Sequence, residues 1–554
     1  MLIRNERLLV EKGWGTPFVR SPARKLRAGR CCCDGGGMPA PSRRDLLLTG
    51  VGIGGATTMA DFPSLALDSR QTGVDSLRKT LEDAISEFTL PNGLHFIIME
   101  RHVGPVVSCH SFVDAGAFDE QDGKTGVAHL LEHMMFKGTK TLGVADYRME
   151  ESLLNSLDEV FYEQQAALRE GRTAQARKLT KIFEQLQVEA AKPVVPNAFG
   201  ALMEEEGAVG VNAATGHDST TYFMALPSNK LELWFAAESD RLMNPVFREL
   251  YSEKRVVSEE RQLRVDSSPL GKFQEDFRAA ALSNNYRRPV IGYQRDIDGL
   301  GRKEATEFFE QHYNPLNVTM SIVGDVNPEE TYRLAERYFG DWQAPVGWEK
   351  ASGAKTDEPL AIPEAVASGD LTEYKRVGRT GPVSLLAFYR PSLLGPEGVV
   401  LDAVSELLAG GRTSRLTREL VQTGKAVSAS LVVEYPGNKH PGLVVAFGIP
   451  GEGLSVEDIS NELQQKLTGL ANSDITPQEL TKLRKSLRYD LFQLLRSNSS
   501  LAAVLTQYHA FQGNWRVMLD ELDARESMTA NQIQDVCSQI FVESNCFKGF
   551  VLKA

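Results

Sequence analysis

The sequence predicts a mixed α and β chain organised as two similar units behind a distinct N-terminal segment. Three observations carry this. Short strand-like runs alternate with longer helical ones from about residue 84, a Pro- and Gly-rich stretch interrupts the pattern at 343–366, and the elements after it repeat in outline those before it. In the first unit, Phe88 to Met99 has apolar residues on both sides of Pro91-Asn92-Gly93, a hairpin signal. Val106 to Ala115 reads as a strand. Thr125 to Phe136 has a helical period, with Gly138 placed to end it. Glu150 to Val188 is long, charged and rich in Ala, Leu and Gln, with a break at Gly171, so it reads as a helical hairpin closed by Pro193 and Pro196. Val209 to Leu226 returns to strand character, Leu231 to Asn244 and Tyr251 to Arg264 are helices, and Leu316 to Val326 is a strand. Residues 343–366 lack an apolar period and read as a linker. Beyond it come strands at about 373–389, a helix from Glu397 to Leu408, Gly410 and Gly411, and strands from Val427 to Ile449.

The 554 residues, 42% apolar and 24% charged, suffice for two or more cores and exclude a disordered tail, a collagen or a disulfide miniprotein. A net charge of -12 argues against general affinity for nucleic acid or an anionic membrane surface. The first forty residues are instead Arg-rich and poor in acids, which suits an organelle transit peptide. Ser42-Arg43-Arg44-Asp45 followed by an apolar stretch to about Ala60 and a small-residue site at Ser64-Leu65-Ala66 resembles a twin-arginine signal. Residues 1–66 therefore read as a targeting leader to the chloroplast, in its thylakoid lumen, with mitochondrion or bacterial periplasm as alternatives. No apolar run is long enough for a membrane span. Removal of the leader leaves Cys109, Cys537 and Cys546, with no zinc-finger or CxxC spacing, and spacing alone leaves open whether Cys537 pairs with Cys546.

The sharpest chemical signal is His129-Leu130-Leu131-Glu132-His133. Residues i, i+3 and i+4 share one helix face, so two imidazoles and a carboxylate project together. Two imidazoles so placed can chelate zinc, and the carboxylate can reach a water on the metal. The alternative is two satisfied core histidines beside a surface glutamate. A catalytic zinc takes a third protein ligand. On the helix from Leu250, Glu253 and Glu260 share a face and Glu259 is turned away. Glu260 is the candidate ligand and Glu253 a candidate to orient an imidazole; the alternative is three solvated charges. The remaining histidines, His95, His102, His110, His217, His312, His440 and His509, fall in no comparable grouping and read as structural or exposed. Aligning Gly138 with Gly410 sets Leu401, Val404 and Ser405 opposite His129, Glu132 and His133, so the second unit lacks this chemistry.

LPNGL at 90–94, the segment from Gly126 to Thr139, Val211 to Thr215, the helix carrying Glu253 and Glu260, HYNP at 312–315, VGDV at 323–326 and GGRTSRL at 410–416 occur in a recognisable order. On these the chain resembles the pitrilysin/insulinase-like inverzincin metallopeptidases, and within them the processing-peptidase branch. The resemblance implies an α+β fold of two homologous domains, each a mostly antiparallel sheet packed with helices: a zinc domain at 84–342 with a helical hairpin inserted at about 150–196, and a second domain at 367–554. It implies a zinc endopeptidase acting on short or unfolded peptides. One zinc ion per chain would be held by His129, His133 and Glu260, with Glu132 as general base for a zinc-activated water. It places Asn212 and Ala213 on an edge strand to which an extended peptide substrate adds. Two departures stand out. The interval from His133 to Glu260 exceeds the family spacing by about the predicted hairpin, and the Arg and Tyr that anchor substrate in the family's second domain fall here near Val421 and Val427. The resemblance therefore implies a homodimer, or a heterodimer with a zinc-less paralogue that supplies the anchor. The alternative function is a non-catalytic scaffold or partner subunit of a processing-peptidase-like complex.

Overall fold

The structure is a computed structural model that describes residues 74–350, 358–378 and 380–553. The leader predicted at 1–66 and part of the linker lie outside the described residues. From residue 74 on, the chain forms one compact unit built on two sheets. After helix α1 (Val74–Ala84), the first sheet has strands β1 (Ile85–Thr89), β2 (His95–Glu100), β3 (Val106–Val113), β4 (Val209–Thr215), β5 (Thr220–Pro227) and β6 (Val318–Gly324), in the order β1-β2-β6-β3-β5-β4. The second has β7 (Glu373–Gly378), β8 (Val383–Arg390), β9 (Ala426–Tyr435), β10 (Gly442–Pro450) and β11 (Cys546–Lys553), in the order β7-β11-β8-β10-β9. Each contains a single parallel pair, β2 with β6 and β7 with β11, and is otherwise antiparallel. Superposing β2-β6-β3-β5-β4 on β7-β11-β8-β10-β9 preserves both order and direction. The fold is thus α+β with two homologous domains, each a mostly antiparallel sheet packed with helices.

Local chemistry accounts for the elements that frame the site. The β1–β2 turn closes at Gly93, whose φ of +94° favours glycine, and Asn92 braces it by donating to the carbonyls of Phe339 and Trp342. Helix α2 (Val127–Met134) begins at Gly126, where φ is +88° and a Cβ would lie 2.7 Å from the Ile291 carbonyl oxygen. Its first amides are capped from a distance: the buried Glu120 carboxylate accepts from Gly126 N at 2.9 Å and Ala128 N at 3.0 Å. The helix is shorter than the predicted 125–136 and buries Val127, Ala128, Leu130, Leu131 and Met134.

The predicted hairpin forms as α3 (Tyr147–Arg169) and α4 (Thr173–Ala190). Its ends meet in an antiparallel bridge between Val144 and Val194. The base is fixed by Arg248, which is buried with Glu150 at 2.7 Å and donates to the carbonyls of Lys137, Thr139 and Leu142. The hairpin leans on α5 (Leu250–Arg261) through Phe161, Phe183 and Tyr251, and Tyr251 donates to Asp158 at 2.7 Å. It buttresses the helix that carries Glu253 and Glu260.

The two halves exchange helices. From the first half, α6 (Pro269–Ala281) packs Phe273 and Phe277 against Tyr374 and Phe547 of the second sheet, where Gly549 admits the Phe277 ring because a Cβ would come within 2.6 Å of it. From the second half, α8 (Asn498–Gln512) lies on β3 and β6; Thr506 bonds His110 at 2.9 Å and Ser321 donates to the Ala502 carbonyl. In the second half α7 (Pro396–Ala409) occupies the place of α2, with Leu401 and Val404 buried and Ser405 donating to the Leu431 carbonyl. Cys109, Cys537 and Cys546 are all free thiols, so Cys537 and Cys546 are not paired. Among the described residues no helix is long and apolar enough to cross a membrane.

Candidate metal centre and active site

Two helices make the site. α2 presents His129, Glu132 and His133 on one face, and α5 brings Glu260 and Glu253 opposite them. One ligand atom each from His129, His133 and Glu260 lies within 4.8 Å of the others. Glu260 Oε2 is 3.8 Å from His129 Nε2 and 3.7 Å from His133 Nε2. An ion about 2.0–2.2 Å from each of three tetrahedral ligands spaces them about 3.4 Å apart, so both Glu260–histidine separations are within a few tenths of an ångström of what a shared metal needs. Two nitrogens and a carboxylate, with a position left open, make a donor set suited to zinc.

The surroundings support that geometry. Glu253 Oε2 lies 3.4 Å from His133 Nδ1, while its other oxygen takes Lys137 Nζ at 2.5 Å, so one carboxylate ties the imidazole to a lysine. Arg264, one turn after Glu260, pairs with Glu260 Oε1 and leaves Oε2 to face the histidines. Glu259 is exposed and takes no part. Burial pushes His129 down to about 3, helped by the nearby His133 and Arg264 charges, so its imidazole is a neutral donor. Burial also opposes charge on His133, but Glu253, Glu132 and Glu260 outweigh it and hold the group above its ordinary value. His129 Nδ1 is buried with no hydrogen-bond partner among the described residues.

Glu132 lies in the same face, and burial raises its carboxyl above the ordinary range although the Thr215 hydroxyl, which donates to Oε2 at 2.5 Å, favours the ionised form. Thr215 is the last residue of β4, and β4 is the outer strand of its sheet, paired only with β5 among the described residues. Asn212 stands opposite Phe223 and Ala213 opposite Tyr222, with the free edge of the strand beyond them. The edge strand thus ends at Glu132. Across the molecule, Val421 is packed against the second core and Val427 is exposed on β9.

Spacing along the sequence did not reveal Thr215, Arg264, Lys137 or Glu120 in these contacts, because each partner is set by tertiary placement or by a side-chain direction. The same holds for His95 and His509. Far apart in the sequence, they are brought together by the fold beside Glu87, with their rings stacked at 3.7 Å.

The family model described as "Insulinase (Peptidase family M16)" matches residues 96–153, and that described as "Peptidase M16 inactive domain" matches 299–487. The chain belongs to the pitrilysin/insulinase-like peptidase family. Among relatives of this pitrilysin/insulinase-like chain, the zinc protease PqqE of Helicobacter pylori is 27% identical over 439 residues, 76% of this chain and 82% of its own length. The mitochondrial-processing peptidase subunit beta of Caenorhabditis elegans is 23% identical over 479 residues, 84% of this chain and 89% of its own. The crystal structure of a protease from Helicobacter pylori shares the fold with a TM-score of 0.66 at 22% identity, covering 84% of this chain and 99% of that one. The inactive-domain model begins after Glu260, so the α2–α5 site lies outside its span.

Proposed function

We propose that the chain is a zinc-dependent endopeptidase that hydrolyses short or unfolded peptides. The observation that carries this is the convergence of His129 Nε2 and His133 Nε2 on Glu260 Oε2, with Glu132 on the same helix face as the histidines. His129, His133 and Glu260 hold one zinc ion. When bound, the ion supplies Lewis acidity that polarises a peptide carbonyl and lowers the pKa of water. The chain's own residues do the rest. Glu132 takes a proton from the attacking water and returns it to the leaving amine, and burial, which raises its carboxyl above the ordinary range, makes it a better proton acceptor than an exposed carboxylate. Glu253 orients His133. The free edge of β4 at Asn212 and Ala213 receives an extended substrate backbone as an added strand, and Thr215 links that strand to Glu132. A folded protein presents few such segments.

With Val421 and Val427 where the family carries its anchoring Arg and Tyr, a zinc-less paralogue supplies the substrate anchor as partner subunit; a homodimer would complete the domain count without supplying it. The leader addresses the chain to the chloroplast, in its thylakoid lumen. Native purification with identification of every chain and of the compartment tests both statements. For the activity, metal content and cleavage of quenched peptides are measured on the native assembly and on its Glu132→Gln variant. Zinc retained with cleavage reduced about 10²–10⁴-fold is the expected result. A scaffold subunit would show no cleavage in either protein.

A further inference from the structure

The donor set of the α2–α5 site occurs a second time among the described residues. Glu87 on β1, His95 at the start of β2 and His509 near the end of α8 bring one oxygen and two ring nitrogens within 4.8 Å of one another. The pose of the carboxylate is repeated as well. Glu87 Oε1 accepts from Arg516 at 2.6 Å while Oε2 faces His95 Nε2 at 3.6 Å, just as Glu260 gives one oxygen to Arg264 and the other to histidine.

The imidazoles are prepared for a ligand. His95 Nδ1 is 2.9 Å from the Thr89 hydroxyl; in the tautomer that donates there, Nε2 keeps its lone pair toward Glu87. His95 Nε2 and His509 Nδ1 are both buried, and neither has a hydrogen-bond partner among the described residues. Burial lowers both histidines, His509 to about 4, so the rings are neutral donors at ordinary pH. Glu87 is exposed and leaves a path for water and ions from that side. Buried polar atoms without hydrogen-bond partners are uncommon in native proteins, and two of them on the rings of one His-His-Glu cluster call for an explanation.

We propose that Glu87, His95 and His509 form a second site for a divalent transition metal of the zinc class, additional to the single ion at α2–α5, which clamps α8 of the second half to the β1–β2 hairpin of the first. The rings now lie parallel within 7°, and the lone pairs of parallel rings do not converge, so binding turns them out of their stack. Because the three donors come from segments about 400 residues apart, the folded chain alone assembles the site, and the metal stabilises that state by mass action.

The full chain carrying His129→Asn and His133→Asn is stripped of metal and titrated with Co²⁺ and Zn²⁺, while visible absorption and thermal midpoint are followed. One equivalent bound, ligand-field bands in the visible and a midpoint that rises with metal are expected, against two equivalents in the chain with both sites intact. Adding His509→Gln should abolish the remaining equivalent. Adding Glu87→Gln, which alters only an exposed group and keeps an oxygen for Arg516, should weaken binding at least tenfold. The proposal is overturned if the two-histidine variant binds no metal, or if its bound equivalent survives Glu87→Gln unchanged.

Discussion

Helices α2 and α7 occupy equivalent places on equivalent sheets, yet one presents His129, Glu132 and His133 where the other presents Leu401, Val404 and Ser405. Both pack an apolar face against their sheet. The difference is therefore confined to one stripe of side chains and to what stands across from it: α5 with Glu253 and Glu260 in the first half, the strand carbonyl of Leu431 in the second. The comparison teaches that the fold supplies position and the stripe supplies chemistry, so a duplicated framework can keep one half reactive while the other carries structure.

The comparison breaks most sharply at the support of α5. The Arg248–Glu150 pair is fully buried and fastens the α3–α4 hairpin beside the reactive half, whereas α7 is itself tied by the buried Asp402 to Arg525 at 2.9 Å and has no inserted hairpin beside it among the described residues. Arg248→Ala strands a buried carboxylate and should cost about 3–5 kcal/mol of stability, read as a fall in the denaturant midpoint. A cost within about 0.5 kcal/mol would mean that the hairpin is decoration. Next in size, Glu253→Gln removes the carboxylate between Lys137 and His133 and should weaken zinc binding about 10–100-fold while leaving the stoichiometry unchanged; competition with a chelator measures it.

Acidification sharpens the distinction between the two histidines. His129 is held neutral down to about pH 3, whereas His133 is held above its ordinary value, so between these limits a metal displaces one proton rather than two. Zinc affinity at the α2–α5 site, measured with His509→Gln present to silence the other cluster, should fall about tenfold per pH unit below neutrality. A hundredfold fall per unit would contradict the assignment. The metal-free fold follows the same signs. The raised His133 contributes stability that is present below its unfolded pKa of about 6.5 and is lost as pH rises through its folded value. The depressed His129 acts oppositely, losing stability as pH falls from about 6.5. The smallest effect is expected from Thr215→Val. Without the donated hydrogen bond the Glu132 carboxyl rises further, so the acid limb of the rate profile should move to higher pH by less than about one unit, at nearly constant KM.

What could be read from the sequence was what local spacing encodes. The β1–β2 hairpin follows from Pro91-Asn92-Gly93, the trio on α2 from a period of 3.6, and the α3–α4 hairpin from its break at Gly171. What could not be read depends on distant partners. Glu120 caps α2 from outside the helix, Arg248 seals a loop about a hundred residues earlier, and α6 and α8 cross to the opposite sheet, where only assembled surfaces decide their packing. His95 and His509 belong to this second class, as no spacing relates residues that meet only when the two halves have docked.

Anomalous diffraction at the zinc edge, on crystals of the metal-loaded chain, tests the central claim most directly. A peak bonded to His129 Nε2, His133 Nε2 and Glu260 Oε2 is the predicted result. Its absence there, with these side chains hydrogen-bonded to one another in metal-saturated protein, would contradict the account.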